Sequence, residues 1–217
     1  IMGSQEFVRA SCIDEVKLGT LEPLHDDIRR FKAALEAHAA PDTEAFMNAA
    51  SPGLITAFKV NRFYPSHEAY LAALVDAMRE EYESIVNAGF YLQLDCPDLA
   101  MSRHTGYQDA SDEEFLKIAA ANVEALNAAT ANIPPERMRM HICWGNYEGP
   151  HDHDIPLEKV IDIVIKARPA TILFEAANPR HEQHEPAALA RPSLARRAQT
   201  PFAAALTPAS ATARVEY

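Results

Sequence analysis

Positive charge is what this sequence has least of: 20 Lys and Arg stand against 31 Asp and Glu, a formal net charge of −11. A nucleic-acid groove or an anionic membrane surface requires clustered cations to displace counterions, so the charge argues against both kinds of partner. Small molecules are the expected ligands. No apolar run approaches the roughly 20 residues of a membrane-spanning helix, and no basic segment leads into an apolar one near the start. A cytoplasmic location is therefore expected. Cysteine is scarce too. Cys12, Cys96 and Cys143 are odd in number and widely spaced, which excludes a disulfide framework and leaves thiolate chemistry or plain burial. Also missing are G-x-G-x-x-G and G-x-x-x-x-G-K-[ST], the phosphate-cradling turns of doubly wound sheets. There is no G-x-S-x-G elbow, so Ser51 and Ser102 do not suggest a serine hydrolase.

The ends differ from the middle. Residues 1–7 read as an expression scar or an internal start and are excluded from fold reasoning. Residues 183–217 read as a low-complexity, disordered tail. From Pro186 onward there are 11 Ala, four Pro and four Arg against a single Glu, with no apolar periodicity to offset the ordering entropy. Residues 8–182 are the expected folded domain.

Within that domain helical and strand-like segments alternate, with a period of about 45 residues. Apolar residues at steps of three and four (Leu24, Ile28, Phe31, Leu35) predict a helix over 24–39. Residues 45–50 read as a strand, and Ser51-Pro-Gly53 as a turn. Ser66 as N-cap and Gly89 as terminator bound a long helix over 66–88. Phe90–Leu94 reads as a buried strand ending in Asp95-Cys-Pro97. Ser111 and Glu114 form a capping box that opens a helix over 111–128. Arg137–Cys143 is the next strand, 156–168 the next helix, and Ala170–Glu175 the last strand. Such alternation forces parallel pairing, hence an α/β fold. Ser51, Asp95, His141, Cys143 and Glu175 all fall at carboxyl ends of strands, where a (β/α) barrel gathers its site. A barrel is favoured over a doubly wound sheet, and an incomplete one is expected because only four or five units are visible.

His141 and Cys143 are two apart on a predicted strand, so both project to one face. A nitrogen and a soft thiolate suit zinc, and Glu175 on the next strand adds an oxygen. A buried histidine beside an inert buried cysteine is the plain alternative. The loop that follows, Trp144-Gly-Asn-Tyr-Glu-Gly-Pro-His151-Asp-His153-Asp154, is too polar for core. Its two histidines suit substrate contact or solvation better than a second metal site. Cys96 points away from Asp95 if the strand continues, which implies packing, and Cys12 receives no role.

Four motifs together carry a resemblance: His141-Ile-Cys143-Trp-Gly-Asn-Tyr-Glu-Gly-Pro-His, Phe174-Glu175-Ala-Ala-Asn-Pro-Arg-His-Glu182, Gln93-Leu-Asp95-Cys-Pro-Asp-Leu99 and Ala50-Ser51-Pro-Gly53. Over about residues 40–182 the chain resembles the cobalamin-independent methionine synthase family, in the short forms related to its carboxyl-terminal catalytic barrel. The resemblance implies an incomplete (β/α) barrel of the methionine synthase/uroporphyrinogen decarboxylase-like type. It also implies zinc held by His141, Cys143 and Glu175, an amino group held by Asp95, and Ser51 among the substrate contacts. The implied activity is methyl transfer from 5-methyltetrahydrofolate, or its polyglutamate form, to the thiol of homocysteine, giving methionine. The partners are then a small thiol and a methylfolate. The family's fourth zinc ligand, a cysteine in an Asp-Cys-Gly-Phe-Gly stretch, has no counterpart here; after Glu182 the family-like sequence breaks off. A truncated or frame-shifted gene with little turnover as a monomer is the expectation. Two alternatives stand beside it: a zinc-thiolate alkyl transferase acting on another small thiol, and an inactive metal-binding barrel fragment. The fragment would associate as a homo-oligomer to cover its exposed barrel edges.

Overall fold

The computed structural model describes residues 10–40, 42–145 and 151–174. Residues 1–7, read as an expression scar or internal start, and residues 183–217, read as a tail, lie outside the described residues, as does Glu175.

Helices follow the apolar periodicity and its punctuation. Helix α1 (Glu22–His38) turns Leu24, Ile28, Phe31 and Leu35 toward the core, and Phe31 stacks on Phe90 with ring centroids 5.0 Å apart. Two short helices, α2 (Pro52–Phe58) and α4 (Met101–Thr105), flank the long α3 (His67–Asn87). The Ser66 hydroxyl caps α3 by accepting from the Ala69 amide, and Gly89, at φ +99°, takes the left-handed position that ends it. Helix α5 (Asp112–Ala129) opens with the reciprocal Ser111–Glu114 capping box, and α6 (Leu157–Val164) begins after Pro156.

Strands β2 (Phe46–Ala50), β4 (Tyr91–Asp95), β5 (Met138–Ile142) and β6 (Thr171–Phe174) form one four-stranded sheet in the order β2-β4-β5-β6. Every pairing in it is parallel. Spatial order therefore follows chain order, each strand reached through at least one helix. A separate parallel pair joins β1 (Ser11–Cys12) to β3 (Val60–Asn61). The architecture is a mixed α/β fold, and no described helix is long and apolar enough to cross a membrane.

Two features depart from the sequence reading. Ser51-Pro-Gly53, taken as a turn, starts α2, because Ser51 serves as N-cap and Pro52 occupies the first helical turn, where its missing N–H costs nothing. The β1–β3 pair consists of two-residue strands, too short for any period to register.

The sheet has two unlike faces. Leu92, Leu94, Met138, Met140 and Ile142 alternate onto one face and are almost fully buried against Tyr82 and Ile85 of α3, Phe115, Val123 and Leu126 of α5, and Val160 and Val164 of α6. The opposite face carries Phe46, Asn48, Gln93, Asp95, Arg139 and His141, only partly buried or exposed. Register arranges these into layers. Asn48, Gln93 and Arg139 are aligned across β2, β4 and β5, and one layer nearer the carboxyl ends lie Ala50, Asp95 and His141. One face is hydrophobic core; the other holds polar groups that can meet a ligand.

Candidate functional site

The carboxyl rim is braced by main-chain hydrogen bonds between the loops that leave the strands. The Ser51 amide donates to the Asp95 carbonyl (3.0 Å), the Cys96 amide to the His141 carbonyl (2.8 Å) and the Met101 amide to the Cys143 carbonyl (3.0 Å). The indole N–H of Trp144, a buried ring, donates to the Ile155 carbonyl at 2.7 Å and so anchors the chain just past Cys143. Gly145 is at φ +87°, and a Cβ there would approach the Met101 side chain to 3.3 Å, so this position requires glycine.

On this rim the sequence-predicted groups meet as follows. His141 lies on the polar face of β5 and Cys143 follows one residue past the end of that strand; both are partly buried, and Cys143 is not disulfide-bonded. Asp95 is paired with His141 across the β4–β5 ladder, and its Oδ1 lies 3.5 Å from His141 Nδ1. Asp95 is itself held: Gln93 Nε2 donates to Oδ1 at 3.0 Å and Asn48 Nδ2 to Oδ2 at 3.3 Å. With Nδ1 turned to a carboxylate, the tautomer favoured for His141 leaves Nε2 as the nitrogen for a metal, the arrangement commonly found behind metal-bound histidines. The donor set here is one imidazole at the end of β5 and one thiol two residues further on, types that fit zinc. Glu175, the third expected ligand, lies outside the described residues, and among the described residues no three His, Cys, Asp or Glu side chains group as a metal-binding set.

Ser51 is placed differently from the expectation of a substrate contact. Its side chain is buried: Oγ accepts from the Leu54 amide at 3.0 Å and donates to Asp98 Oδ1 at 2.6 Å. Asn122 Nδ2 donates to the other oxygen of Asp98 at 3.0 Å, and His67 Nε2 lies 3.4 Å from the Asn122 oxygen. Gly53 completes this cluster, since a Cβ there would overlap both the Asp98 carboxylate and the Asn122 amide. Burial pushes the Asp98 carboxyl up to about 6, against the pull of the Ser51 and Asn122 hydrogen bonds. Cys96, expected to pack, is fully buried, and burial pushes its thiol up, away from nucleophilic reactivity.

Of the two histidines expected to serve substrate contact or solvation, His153 is exposed and His151 is partly buried. The His151 side chain is 7% exposed, places Nδ1 3.0 Å from Asp154 Oδ2, and stacks on His104 with centroids 5.4 Å apart and planes 18° from parallel. His153 tilts against the same His104 ring at 6.1 Å. These ring contacts tie residues 151–153 to His104 of α4.

Sequence reasoning missed two groups, Asp98 and Arg139. Arg139 had a usable signal, because it shares the alternation of His141 and Cys143 and therefore their face. No protein-family model matches the chain, and no curated protein matches it.

Proposed function

We propose that the polar sheet face is part of the wall of a (β/α) barrel and that its carboxyl rim is a zinc-thiolate alkyl-transfer site. The reading chosen is methyl transfer from a methylfolate to the thiol of homocysteine. The observation that supports it best is the braced carboxylate of Asp95 in register with His141, two residues before the thiol of Cys143 at the same strand end.

His141 and Cys143 would hold the metal, with Glu175 as the third protein ligand. Bound zinc lowers the pKa of an acceptor thiol so that it is presented as thiolate at neutral pH. Asp95 has two tasks compatible with its surroundings: one oxygen faces His141 and orients the ring, and its charge attracts a cationic amino group. The Gln93 and Asn48 amides keep that carboxylate from rotating away, so the acceptor meets a preformed site. During transfer the new bond joins the methyl carbon to sulfur. The electron pair of the broken carbon–nitrogen bond returns to the folate nitrogen, which takes up one proton. No net oxidation occurs.

The test is methionine formation by the full chain, reconstituted with zinc and supplied with homocysteine and 5-methyltetrahydrofolate. The account predicts a low level of zinc-dependent product, in keeping with the missing fourth family ligand, that disappears in both His141→Ala and Cys143→Ser. Product formed equally by these variants, or unaffected by chelation, contradicts it.

A further inference from the structure

Two arginines on β5 and its approach, Arg137 and Arg139, lie on the polar face and have opposite circumstances. Arg137 is satisfied: it donates to the Gly89 carbonyl at 2.7 Å and the Phe90 carbonyl at 3.1 Å, and its guanidinium sits 4.3 Å from the Tyr91 ring centroid. Arg139 lies across the sheet with its guanidinium 3.4 Å from the centroid of Phe46. Among the described residues no hydrogen bond or ion pair reaches it, and its Nε is a buried donor without a partner. Leaving a buried donor unmatched is costly, so a ligand that pairs with it gains what the fold forgoes. The chain is acidic overall, yet this cation lies in a layer with the neutral amides Gln93 and Asn48; the nearest carboxylate acting on it is Asp95, one layer above, which forms no ion pair with it.

Position says what it can receive. Arg139 is two residues before His141 on the same strand, which places its Cα about 7 Å from that of His141, toward the amino end of the strand. One face of the guanidinium is covered by Phe46, which leaves its edge, the planar fork that pairs with a carboxylate. We infer that Arg139 is the carboxylate subsite of this face: it receives the acid group of a short thiol amino acid whose sulfur lies one layer above, at His141 and Cys143. This rests on the zinc-thiolate reading for the sulfur end, whereas the anion-binding end stands on Arg139 alone. Substrate selection would then favour a carboxylated thiol over its decarboxylated counterpart.

The experiment uses the full chain, zinc-loaded and zinc-free, and two matched pairs of probes. Homocysteine is compared with 3-aminopropanethiol, and norvaline, which has no thiol, with butylamine. Calorimetry should give the carboxylated member of each pair an affinity higher by about tenfold or more, the range of a charge-assisted bidentate contact. Arg139→Gln should erase that preference while leaving the affinity for 3-aminopropanethiol and the zinc content unchanged, and Arg139→Lys should restore part of it. In the wild-type chain norvaline should shift the Arg139 Nε–Hε resonance, a readout independent of whether the variants fold. A carboxylate preference in zinc-free protein with no zinc-dependent thiol binding would uphold Arg139 and remove the zinc reading. Zinc-dependent thiol binding with equal affinity within each pair, or an Arg139 resonance unmoved by norvaline, would overturn the inference and leave the zinc reading standing.

Discussion

Asp98 is the residue at which burial and chemistry conflict most openly, and its protonation can be followed directly. Its folded-state pKa of about 6 lies above the ordinary 3.8, so the folded chain binds that proton more tightly than the unfolded one. The resulting stabilisation is fully present below about 3.8 and is lost as pH rises through about 6. A gap of this size corresponds to roughly 3 kcal/mol. Urea unfolding of wild type and Asp98→Asn, compared from pH 4 to pH 7, should show the wild type losing on the order of 3 kcal/mol relative to the variant. A pH-independent difference contradicts the assignment. Gly53→Ala should destabilise by about 1–3 kcal/mol, because the added methyl must displace the Asp98–Asn122 pair; an unchanged urea midpoint would show that the pair can yield. Asp98 was invisible in the sequence for a physical reason. The Pro97–Leu99 turn carries it beneath α2, and no local period announces a turn that folds a carboxylate inward.

At the scale of elements, what could be read was whatever repeats or is punctuated. The helix starts at Ser66 and Ser111 are side-chain caps, and the stop at Gly89 is a left-handed residue, so their boundaries agree with the sequence reading to within about two residues. The same rule misplaced Ser51-Pro-Gly53, where one serine both caps a short helix and anchors Asp98. Ser51→Ala removes both contacts and should cost about 1–3 kcal/mol, measured by thermal or urea unfolding. A loss no larger than that of a typical exposed serine would mean the cap and the Asp98 contact contribute nothing. The alternation on β5 is informative on both sides: Met138, Met140 and Ile142 form core, whereas Arg139 and His141 stay partly exposed on the opposite face. Met140→Ala, which empties space on the core side only, should cost about 2–5 kcal/mol with no change in zinc content.

At the scale of the whole molecule, the parallel sheet in chain order and the division of its faces explain why chemistry collects at one edge. Helices bury one face, so only the polar face and the carboxyl rim remain to hold a ligand. The α/β class was legible because helix and strand periods alternate. The layering of Asn48, Gln93 and Arg139 was not, since register between strands depends on packing that no single segment encodes. The claim on which the functional account turns is that His141 and Cys143 are metal ligands. Zinc content of the full chain purified without chelator tests it most directly. The account predicts near-stoichiometric zinc in the wild type, loss of at least about tenfold in affinity in His141→Ala and in Cys143→Ser, and a smaller loss in Asp95→Asn, which removes only the group behind the histidine. Wild-type protein that holds no zinc, or variants that hold as much as the wild type, would contradict it.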